Sequence, residues 1–521
     1  MRSILLLGLL VLSAFAAKHP LSRFKDFGRK TEDSFEEESD EEYDFGDEER
    51  ATEVEPVIVC RADGKDPCHC DKNKGIINCR KLATQKGKDV HGGQLQVAAI
   101  KTEDDDFKAK YIVMANNRIT YLDGETITPG QRLTVEAFDF TYNQIAVINP
   151  QTFDNFPKLE KLRLSYNFLK LDSTMDGWIT DKLGDSLKKL YLDYNSIDKI
   201  EDGVFDPLKK LETLVLDGNP QLKLTDKTFG KEMASLKELS LDHCKFTTLP
   251  DKLFDNLKSL ESISLIGNHF VSIPSALGNV AKLTYIDLSK NELTEIPEDS
   301  FKKNPELQAL FLNDNKYLSK VDDCGLCGLK ELKKVILNKN PQLYHIHKNA
   351  FGYAEGDGPK ALETLLLDHS NFSTLDKDTA PWDKLDQLAL GGNPWNCNDD
   401  LDWLLKTPGL HLTGEEVPRC QAPSDLAGKS IIKLRGDAGV SSDSDSSFFA
   451  SAFFALLGLI AISGIVVGGF VLWTRRPSNP FYRPTMPNVG FSNLTTELDM
   501  EDEVMSLAEE ADLDEPKPTP V

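Results

Sequence analysis

Basic residues are scarce in this sequence compared with acidic ones. Its 521 residues include 60 lysines and arginines against 84 aspartates and glutamates, which gives a formal net charge of −24. Nucleic-acid binding requires basic side chains that neutralise phosphates, so this balance argues against a nucleic-acid partner. Much of the acid lies in residues 32–55 and 497–515, which hold too few large apolar side chains to form a core. We therefore predict that both acidic tails are disordered.

The sequence also has no arrangement of residues that is typical of catalysis. It contains no HExxH, P-loop or nucleophile-elbow motif and no paired-carboxylate frame, and its nine histidines are scattered. No group of residues meets the geometric requirements of an active site. The sequence therefore predicts that the protein is not an enzyme and needs neither a metal nor a cofactor.

Only two stretches of the chain are long apolar runs. Residues 1–17 have the basic start, apolar centre and small residues of a cleaved signal peptide. Residues 448–473 carry no charge and are longer than the roughly 20 residues that a transmembrane helix needs. Arg475 and Arg476 follow directly, which predicts that residues 474–521 form a cytoplasmic tail. The sequence thus predicts a single-pass type I protein of the plasma membrane with an extracellular ectodomain.

Between these runs, residues 111–394 repeat the pattern L-x-L-x-x-N-x-L twelve times. Successive key positions are 23 to 30 residues apart, and these positions are Asn117, Asn143, Asn167, Asn195, Asn219, Cys244, Asn268, Asn291, Asn315, Asn340, Ser370 and Asn393. Such a period predicts a solenoid in which each repeat gives one short parallel strand and the leucines stack into a continuous core.

The asparagine of each repeat interrupts this apolar pattern for a physical reason. The chain must turn away from the strand inside the core, where an unpaired backbone N–H or C=O group costs several kcal/mol. An amide side chain supplies both a donor and an acceptor to that backbone. A second column, which we expect to fill the convex half of the core, consists of Phe153, Phe205, Phe229, Phe254, Phe301 and Phe351.

These repeats resemble the extracellular leucine-rich-repeat family, in particular single-pass receptors and adhesion proteins with cysteine caps. The resemblance implies an α/β-type solenoid, a horseshoe of about twelve repeats with a parallel sheet on its concave side. It also implies an N-terminal cap and connector in residues 57–110 and a C-terminal cap in residues 395–435. The cap cysteines are Cys60, Cys68, Cys70 and Cys79 at one end and Cys397 and Cys420 at the other.

The cysteines are expected to form disulfides rather than metal or redox sites. Zinc is the competing interpretation of the N-terminal cluster, but a secreted chain favours disulfides, and the pairing within this cluster is left open. The family pattern implies a Cys397–Cys420 disulfide. Cys324 and Cys327 either bridge locally or form a C-x-x-C redox site, which the sequence around them does not support. Cys244 is then the odd, buried thiol.

Three groups of side chains are expected on the concave face, because they alternate with the core leucines. The first is a Tyr/Arg cluster of Tyr142, Tyr166, Tyr191 and Tyr194 with Lys161 and Arg163; the second is an apolar trio of Phe311, Ile336 and Leu366. Both are candidate ligand-binding surfaces, since aromatic side chains and arginine are enriched in interfaces. The alternative for both is ordinary surface variation. The third group, an acid column of Asp193, Asp217 and Asp242, has too few ligands for a metal site.

The remaining segments carry short motifs. Residues 18–56 are the acidic N-terminal segment and residues 436–447 are a juxtamembrane linker. Asn371 is a candidate glycosylation site, in the sequence Asn-Phe-Ser.

The tail holds the sorting motif Asn479, Pro480 and Tyr482, which is similar to the NPxY turn read by phosphotyrosine-binding domains or endocytic adaptors. It ends at Val521 like a PDZ ligand, and Gly464 and Gly468 in the membrane segment make a homodimer an option.

The family resemblance then implies a function in binding. We expect a cell-surface receptor, co-receptor or adhesion protein that binds an extracellular protein ligand on its concave face. The alternative is a membrane-tethered scaffold or noncatalytic subunit for a secreted enzyme or matrix component.

Overall fold

A parallel β-sheet runs through the whole repeat region. The computed structural model describes residues 56–434, apart from 62–65, 82–97, 105, 172–176, 408–409 and 415. The signal peptide, the transmembrane run, both acidic tails and the motifs at residues 464–521 lie outside these described residues. Within the described ranges, no helix is both long and apolar enough to cross a membrane.

The main sheet has fifteen strands, each of two or three residues. In chain order, and with numbering that includes the other strands of the chain, they are β2 (His69–Asp71), β3 (Ile76–Asn78), β5 (Tyr111–Val113), β7 (Ala137–Asp139), β9 (Lys161–Arg163), β10 (Lys189–Tyr191), β11 (Thr213–Val215), β12 (Glu238–Ser240), β13 (Ser262–Ser264), β14 (Tyr285–Asp287), β16 (Ala309–Phe311), β18 (Lys334–Ile336), β20 (Thr364–Leu366), β21 (Gln387–Ala389) and β23 (Leu412–Thr413). All neighbours pair in parallel except β2 and β3, which are antiparallel. The predicted solenoid with one parallel strand per repeat is therefore confirmed.

The rest of the described chain consists of turns, short strands and short helices. The other strands are β1 (Val57–Val59), β4 (Ile100–Thr102), β6 (Tyr121–Leu122), β8 (Val147–Ile148), β15 (Glu295–Ile296), β17 (Lys320–Val321), β19 (His345–Ile346), β22 (Trp395–Asn396) and β24 (Cys420–Ala422). The α-helices are α1 (Asp181–Gly184), α2 (Asp402–Lys406) and α3 (Ile431–Leu434), and 3-10 turns span Lys231–Met233, Ser275–Asn279, Tyr353–Glu355, Trp382–Lys384 and Asp399–Leu401. The described repeats thus return through turns and short elements rather than through long helices.

The core lies between the sheet and these returning turns. The middle residue of each main strand from β3 to β21, such as Leu190, Leu214 and Leu239, is fully buried. The six phenylalanines of the second column are buried as well, and the rings of Phe205, Phe229 and Phe254 follow one another at 6.5 and 6.4 Å. These three rings thus pack one on the next across three successive repeats.

The asparagine column pairs the turning backbone as the sequence predicts. Asn291 is 3% exposed, and its Nδ2 donates to the carbonyls of Leu265 and Leu288, both at 3.0 Å. Its Oδ1 accepts the backbone N–H of Phe270 at 3.2 Å. One amide therefore links three backbone groups of two successive repeats.

Where the asparagine is replaced, a smaller donor makes a longer contact with the preceding repeat. The Sγ of Cys244 donates to the carbonyl of Leu216 at 3.4 Å, and the Oγ of Ser370 donates to the carbonyl of Leu337 at 3.5 Å. Burial also raises the pKa of the Cys244 thiol to about 12, so this thiol stays protonated and keeps its donor. The column thus continues through both substitutions.

Disulfides close both ends of the described region. At the N-terminal end the bridges are Cys60–Cys70 and Cys68–Cys79, and at the C-terminal end Cys397 is joined to Cys420. A fourth bridge joins Cys324 to Cys327 within one repeat. Cys60, Cys70 and Asp66 lie close enough to hold a metal ion, yet the two sulfurs are bonded to each other and do not provide the thiolates that zinc binds.

We expect Asn291→Leu to destabilise the solenoid although leucine is the more apolar residue. The substitution removes one hydrogen bond from each of the Leu265 and Leu288 carbonyls and takes away the Oδ1 acceptor of the buried Phe270 N–H, and an unsatisfied buried group costs about 1–3 kcal/mol. Chemical denaturation followed by circular dichroism should show a loss of at least about 2 kcal/mol.

Asn279→Leu is the matched control, because the amide of Asn279 is exposed where it donates to the carbonyl of Asp251. This variant should stay within about 0.5 kcal/mol of the wild type. Equal stability of Asn291→Leu and the wild type would contradict the role that we give to the asparagine column.

Candidate functional site

The concave face of the sheet presents two side chains from each strand. The first and third residues of a strand point to this face, while the middle residue points into the core. The register aligns these positions across repeats, so that Lys161 pairs with Lys189 and Arg163 with Tyr191. Neighbouring strands are about 4.8 Å apart, and each position therefore forms a column of closely spaced side chains.

Three of the predicted tyrosines form a stack beside this face. The ring of Tyr166 lies 4.2 Å from that of Tyr142 and 4.5 Å from that of Tyr194, and both pairs are nearly parallel. The three residues lie in the turn before the asparagine and not on a strand, with φ between +52° and +57°. We call these three residues the tyrosine stack.

A glycine ends the tyrosine stack on its C-terminal side. Gly218 occupies the equivalent turn position with φ of +62°, and a Cβ at this position would lie 2.6 Å from the Tyr194 ring. The tyrosine ring therefore rests directly on the backbone of the next repeat. This arrangement holds the stack in a fixed geometry before any partner binds.

Tyr191 and Arg163 form a second aromatic contact, on the strands themselves. The guanidinium carbon of Arg163 lies 5.1 Å from the centre of the Tyr191 ring, within the range of a cation–π interaction. Both side chains are half-buried. Together with the tyrosine stack, they give the N-terminal half of the concave region a continuous aromatic and cationic character.

The prediction that Lys161 belongs to this exposed cluster is wrong. Lys161 is only 1% exposed, although it lies at a concave-face position of β9. Its partners in the register are the small Ala137 of β7 and Lys189 of β10. The alternation of a strand tells on which face a residue lies, but not whether its neighbours cover it.

The acid column has a structural role in the described part of the chain. Asp193, Asp217 and Asp242 are each less than 5% exposed. The Oδ1 of Asp217 accepts the N–H of Asp242 at 2.9 Å, and the Oδ1 of Asp242 accepts the N–H of Ile266 at 2.7 Å. The carboxylates thus form a second side-chain column that links one repeat to the next. Burial raises the pKa of Asp242 well above its ordinary value, and the neighbouring Asp217 charge adds to this shift.

The apolar trio lies together on the C-terminal half of the face. Phe311, Ile336 and Leu366 are paired across β16, β18 and β20. Phe311 and Leu366 are half-buried, whereas Ile336 is only 6% exposed because it lies between the other two. The register therefore brings the three predicted residues into one row.

The sequence prediction missed two residues next to this row. The Tyr285 ring lies 5.1 Å from that of Phe311, and the hydroxyl of Tyr285 donates to the Oδ2 of Asp287 at 3.2 Å. Burial raises the pKa of Asp287 to about 6. The N–H of Ser289, which donates to this carboxylate at 2.8 Å, acts in the opposite direction and lowers the pKa. The alternation of β14 places both side chains on the concave face, and this signal is visible in the sequence.

The other predicted sites do not join the concave face. The side chain of Asn371 is exposed, while its backbone N–H donates to the carbonyl of Leu343 at 2.9 Å. Residues Asn479, Pro480 and Tyr482 of the sorting motif lie outside the described part of the chain.

We expect Asp287→Asn to stabilise the protein at neutral pH and to have no such effect at acidic pH. The folded-state pKa of Asp287 is raised above its ordinary value of 3.8. Its contribution to stability is therefore complete below about pH 4 and is lost as the pH rises through about 6. Asparagine avoids this loss, keeps an acceptor for Ser289, and should give about 1–3 kcal/mol of additional stability at pH 7.5.

Urea denaturation at pH 4.0, 6.0 and 7.5 measures this difference. The exposed Asp378 provides the matched control, and Asp378→Asn should not change the pH profile. A constant difference between Asp287→Asn and the wild type across these three pH values would show that Asp287 does not titrate as we describe.

Comparison with known proteins places the repeats in a family. Residues 108–169, 171–220, 234–293 and 281–341 match the family model described as leucine rich repeat. Chaoptin of Drosophila melanogaster is 33% identical over 308 residues, which are 54% of this chain and 22% of Chaoptin. Human Toll-like receptor 3 is 24% identical over 297 residues, which are 55% of this chain and 30% of the receptor. The chain thus spans less than a third of the length of these two relatives.

A solved structure with similar repeats comes from the octameric complex of Latrophilin 3, Unc5D and FLRT2, to which FLRT2 contributes its leucine-rich repeats. The matched chain is 20% identical, with a TM-score of 0.45, and the match covers 70% of this chain and 96% of that chain. The family match coincides with the strands and the asparagine column described above. The matched residues of this chain are therefore leucine-rich repeats.

Proposed function

We propose that this protein is a cell-surface receptor, co-receptor or adhesion protein that binds an extracellular protein on the concave side of its solenoid. The tyrosine stack, with Arg163 and Tyr191 beside it, is the observation that carries this proposal. Tyrosine and arginine are the residues that most often dominate binding energy in protein interfaces. The name of one relative, Toll-like receptor 3, supports the receptor class.

The geometry of the tyrosine stack favours binding because the rings are already ordered. Rings 4.2 and 4.5 Å apart, ending on Gly218, lose little conformational freedom when a partner contacts them. Tyr142 is 37% exposed, so its phenol ring is accessible to a partner. The proposal gives the acid column no part in binding, since its carboxylates are buried and hydrogen-bonded.

The proposed topology follows from the segments outside the described residues. The signal peptide and the run at 448–473 would place the solenoid outside the plasma membrane, and Arg475 and Arg476 would hold the tail inside. The tail motif Asn479, Pro480 and Tyr482 would then dock an endocytic adaptor or a phosphotyrosine-binding domain.

We expect the combined substitution of Tyr166, Tyr191 and Tyr194 by alanine to abolish partner capture without unfolding the solenoid. Each truncation of an interface hot spot typically costs more than about 1 kcal/mol, so the combination should weaken binding at least 10-fold. The test is proximity labelling on living cells, with the labelling enzyme fused to the extracellular end of the full-length chain.

Two controls make this test specific. Phe168 is 57% exposed and lies in the same repeat as Tyr166, so Phe168→Ala should leave the labelled set unchanged. The matching tyrosine-to-phenylalanine variants keep the stack and test the hydroxyls separately. If the alanine variant reaches the surface, melts like the wild type and still labels the same proteins, the tyrosine stack is not the binding surface.

We expect a glycan on Asn371 and none on Asn493, although both lie in the sequence pattern for N-glycosylation. Asn371→Gln should remove the mass shift that an N-glycosidase produces on the wild type, and Asn493→Gln should have no effect. A glycan on Asn493 would place residues 474–521 outside the cytoplasm and would contradict the proposed topology.

A further inference from the structure

The C-terminal half of the concave face carries a row of apolar side chains that the tyrosine stack does not include. Phe311, Ile336 and Leu366 share one register position on β16, β18 and β20, and the ring of Tyr285, from the first position of β14, lies 5.1 Å from that of Phe311. We call these four residues the apolar strip. Phe311 and Leu366 remain half-exposed, so part of this row faces solvent. The strip is several strands away from Arg163 and Tyr191, which lie on β9 and β10.

Among the described residues, Lys334 beside the apolar strip forms no ion pair, whereas three other lysines along the sheet do. Lys110, Lys188 and Lys237 each pair with a glutamate of a neighbouring repeat, at 3.1, 2.9 and 3.0 Å. Lys334 is half-buried, and no carboxylate among the described residues lies within ion-pair distance of its Nζ. This atom lies 5.5 Å from the centre of the Phe311 ring.

The surroundings of Lys334 therefore disfavour its charge. Burial lowers its pKa, and no neighbouring acid offsets this effect. A carboxylate that arrives within about 4–6 Å favours the charged form of such an ammonium group. The ring of Phe311 supplies only a weak substitute for such a partner.

We propose that the apolar strip and Lys334 form one docking surface for a protein segment that places a carboxylate beside large apolar side chains. The apolar side chains of this segment lie on Phe311, Ile336 and Leu366, and its carboxylate pairs with Lys334. This proposal rests on the proposed function and adds to it the chemistry of the partner. It adds a second contact, on the C-terminal half of the concave face, to the one that the tyrosine stack makes.

The positive charge of Lys334 favours an acidic and apolar segment over a basic or a purely apolar one. A basic segment would bring a second cation to Lys334, and a purely apolar segment would bury the ammonium group further without a counter-charge. Association between charged surfaces is most specific when the potentials are complementary. An acidic and apolar segment can pair with Lys334 and pack on the apolar strip at the same time.

The test uses a random dodecapeptide display library as the probe and the full-length protein as the target. The protein is held by a tag at its C-terminus in detergent, and Lys334→Glu serves for counter-selection. We expect the recovered peptides to be enriched in aspartate or glutamate next to leucine, isoleucine or phenylalanine. A synthetic peptide of the consensus sequence should bind Lys334→Glu at least about 10-fold more weakly than the wild type.

Matched variants separate the charge from the apolar contact. Lys334→Met keeps the length and apolar stem of the side chain, so the wild-type preference for the acidic peptide over its amide analogue should disappear in this variant. Lys258→Glu makes the same charge change as Lys334→Glu at an exposed position and should bind like the wild type. Thermal melting of each variant shows that the solenoid is intact.

Four results would overturn the inference, and they are distinguishable from a failure of the proposed function. The proposed partner chemistry is contradicted if the recovered peptides show no preference for acidic residues. It is also contradicted if the peptides bind Lys334→Glu as well as they bind the wild type. If peptide binding depends on Tyr166 and Arg163 instead, the proposed receptor function is still supported and only this docking surface is contradicted. If a synthetic peptide of residues 32–55 competes for the strip with high affinity, the occupant is the chain's own acidic segment.

Discussion

Each turn of the solenoid bends its backbone inside the core, and one side chain per repeat pairs the backbone groups that the bend leaves there. In repeat eight this side chain is Asn291, which donates to Leu265 and Leu288 and accepts from Phe270. Because its partners belong to two different repeats, the amide fixes how each repeat sits on the one before it. Without these bonds the leucine and phenylalanine columns would bury unsatisfied backbone, and the core would not be stable.

This constraint also sets the register of the concave face. Strands that are held at one register and about 4.8 Å apart turn every outward position into a column of contacting side chains. The apolar strip arises in this way, and the same spacing of repeats aligns the tyrosine stack and the acid column just beyond the strands. The stack uses the turn before the asparagine, where φ is positive, and it ends where Gly218 has no side chain to continue it.

The electrostatics of the face divide it into three parts. The N-terminal part combines tyrosines with Arg163, and the central part holds carboxylates that the fold uses internally. The C-terminal part presents apolar side chains with Lys334 at their border. Binding through the first or last part would leave the central acids undisturbed, since they are already buried and hydrogen-bonded.

The sequence alone determined the solenoid, its parallel strands and the role of the asparagines, because these depend on a periodic pattern that local physics interprets directly. It also identified Tyr142, Tyr166 and Tyr194 as neighbours, and Phe311, Ile336 and Leu366 as another set. Only the tertiary structure decided which of the outward residues are accessible. Lys161 is covered, the acid column is buried, and Tyr285 and Asp287 lie beside the apolar trio, because burial depends on the sizes of side chains from neighbouring repeats and not on the alternation within one strand.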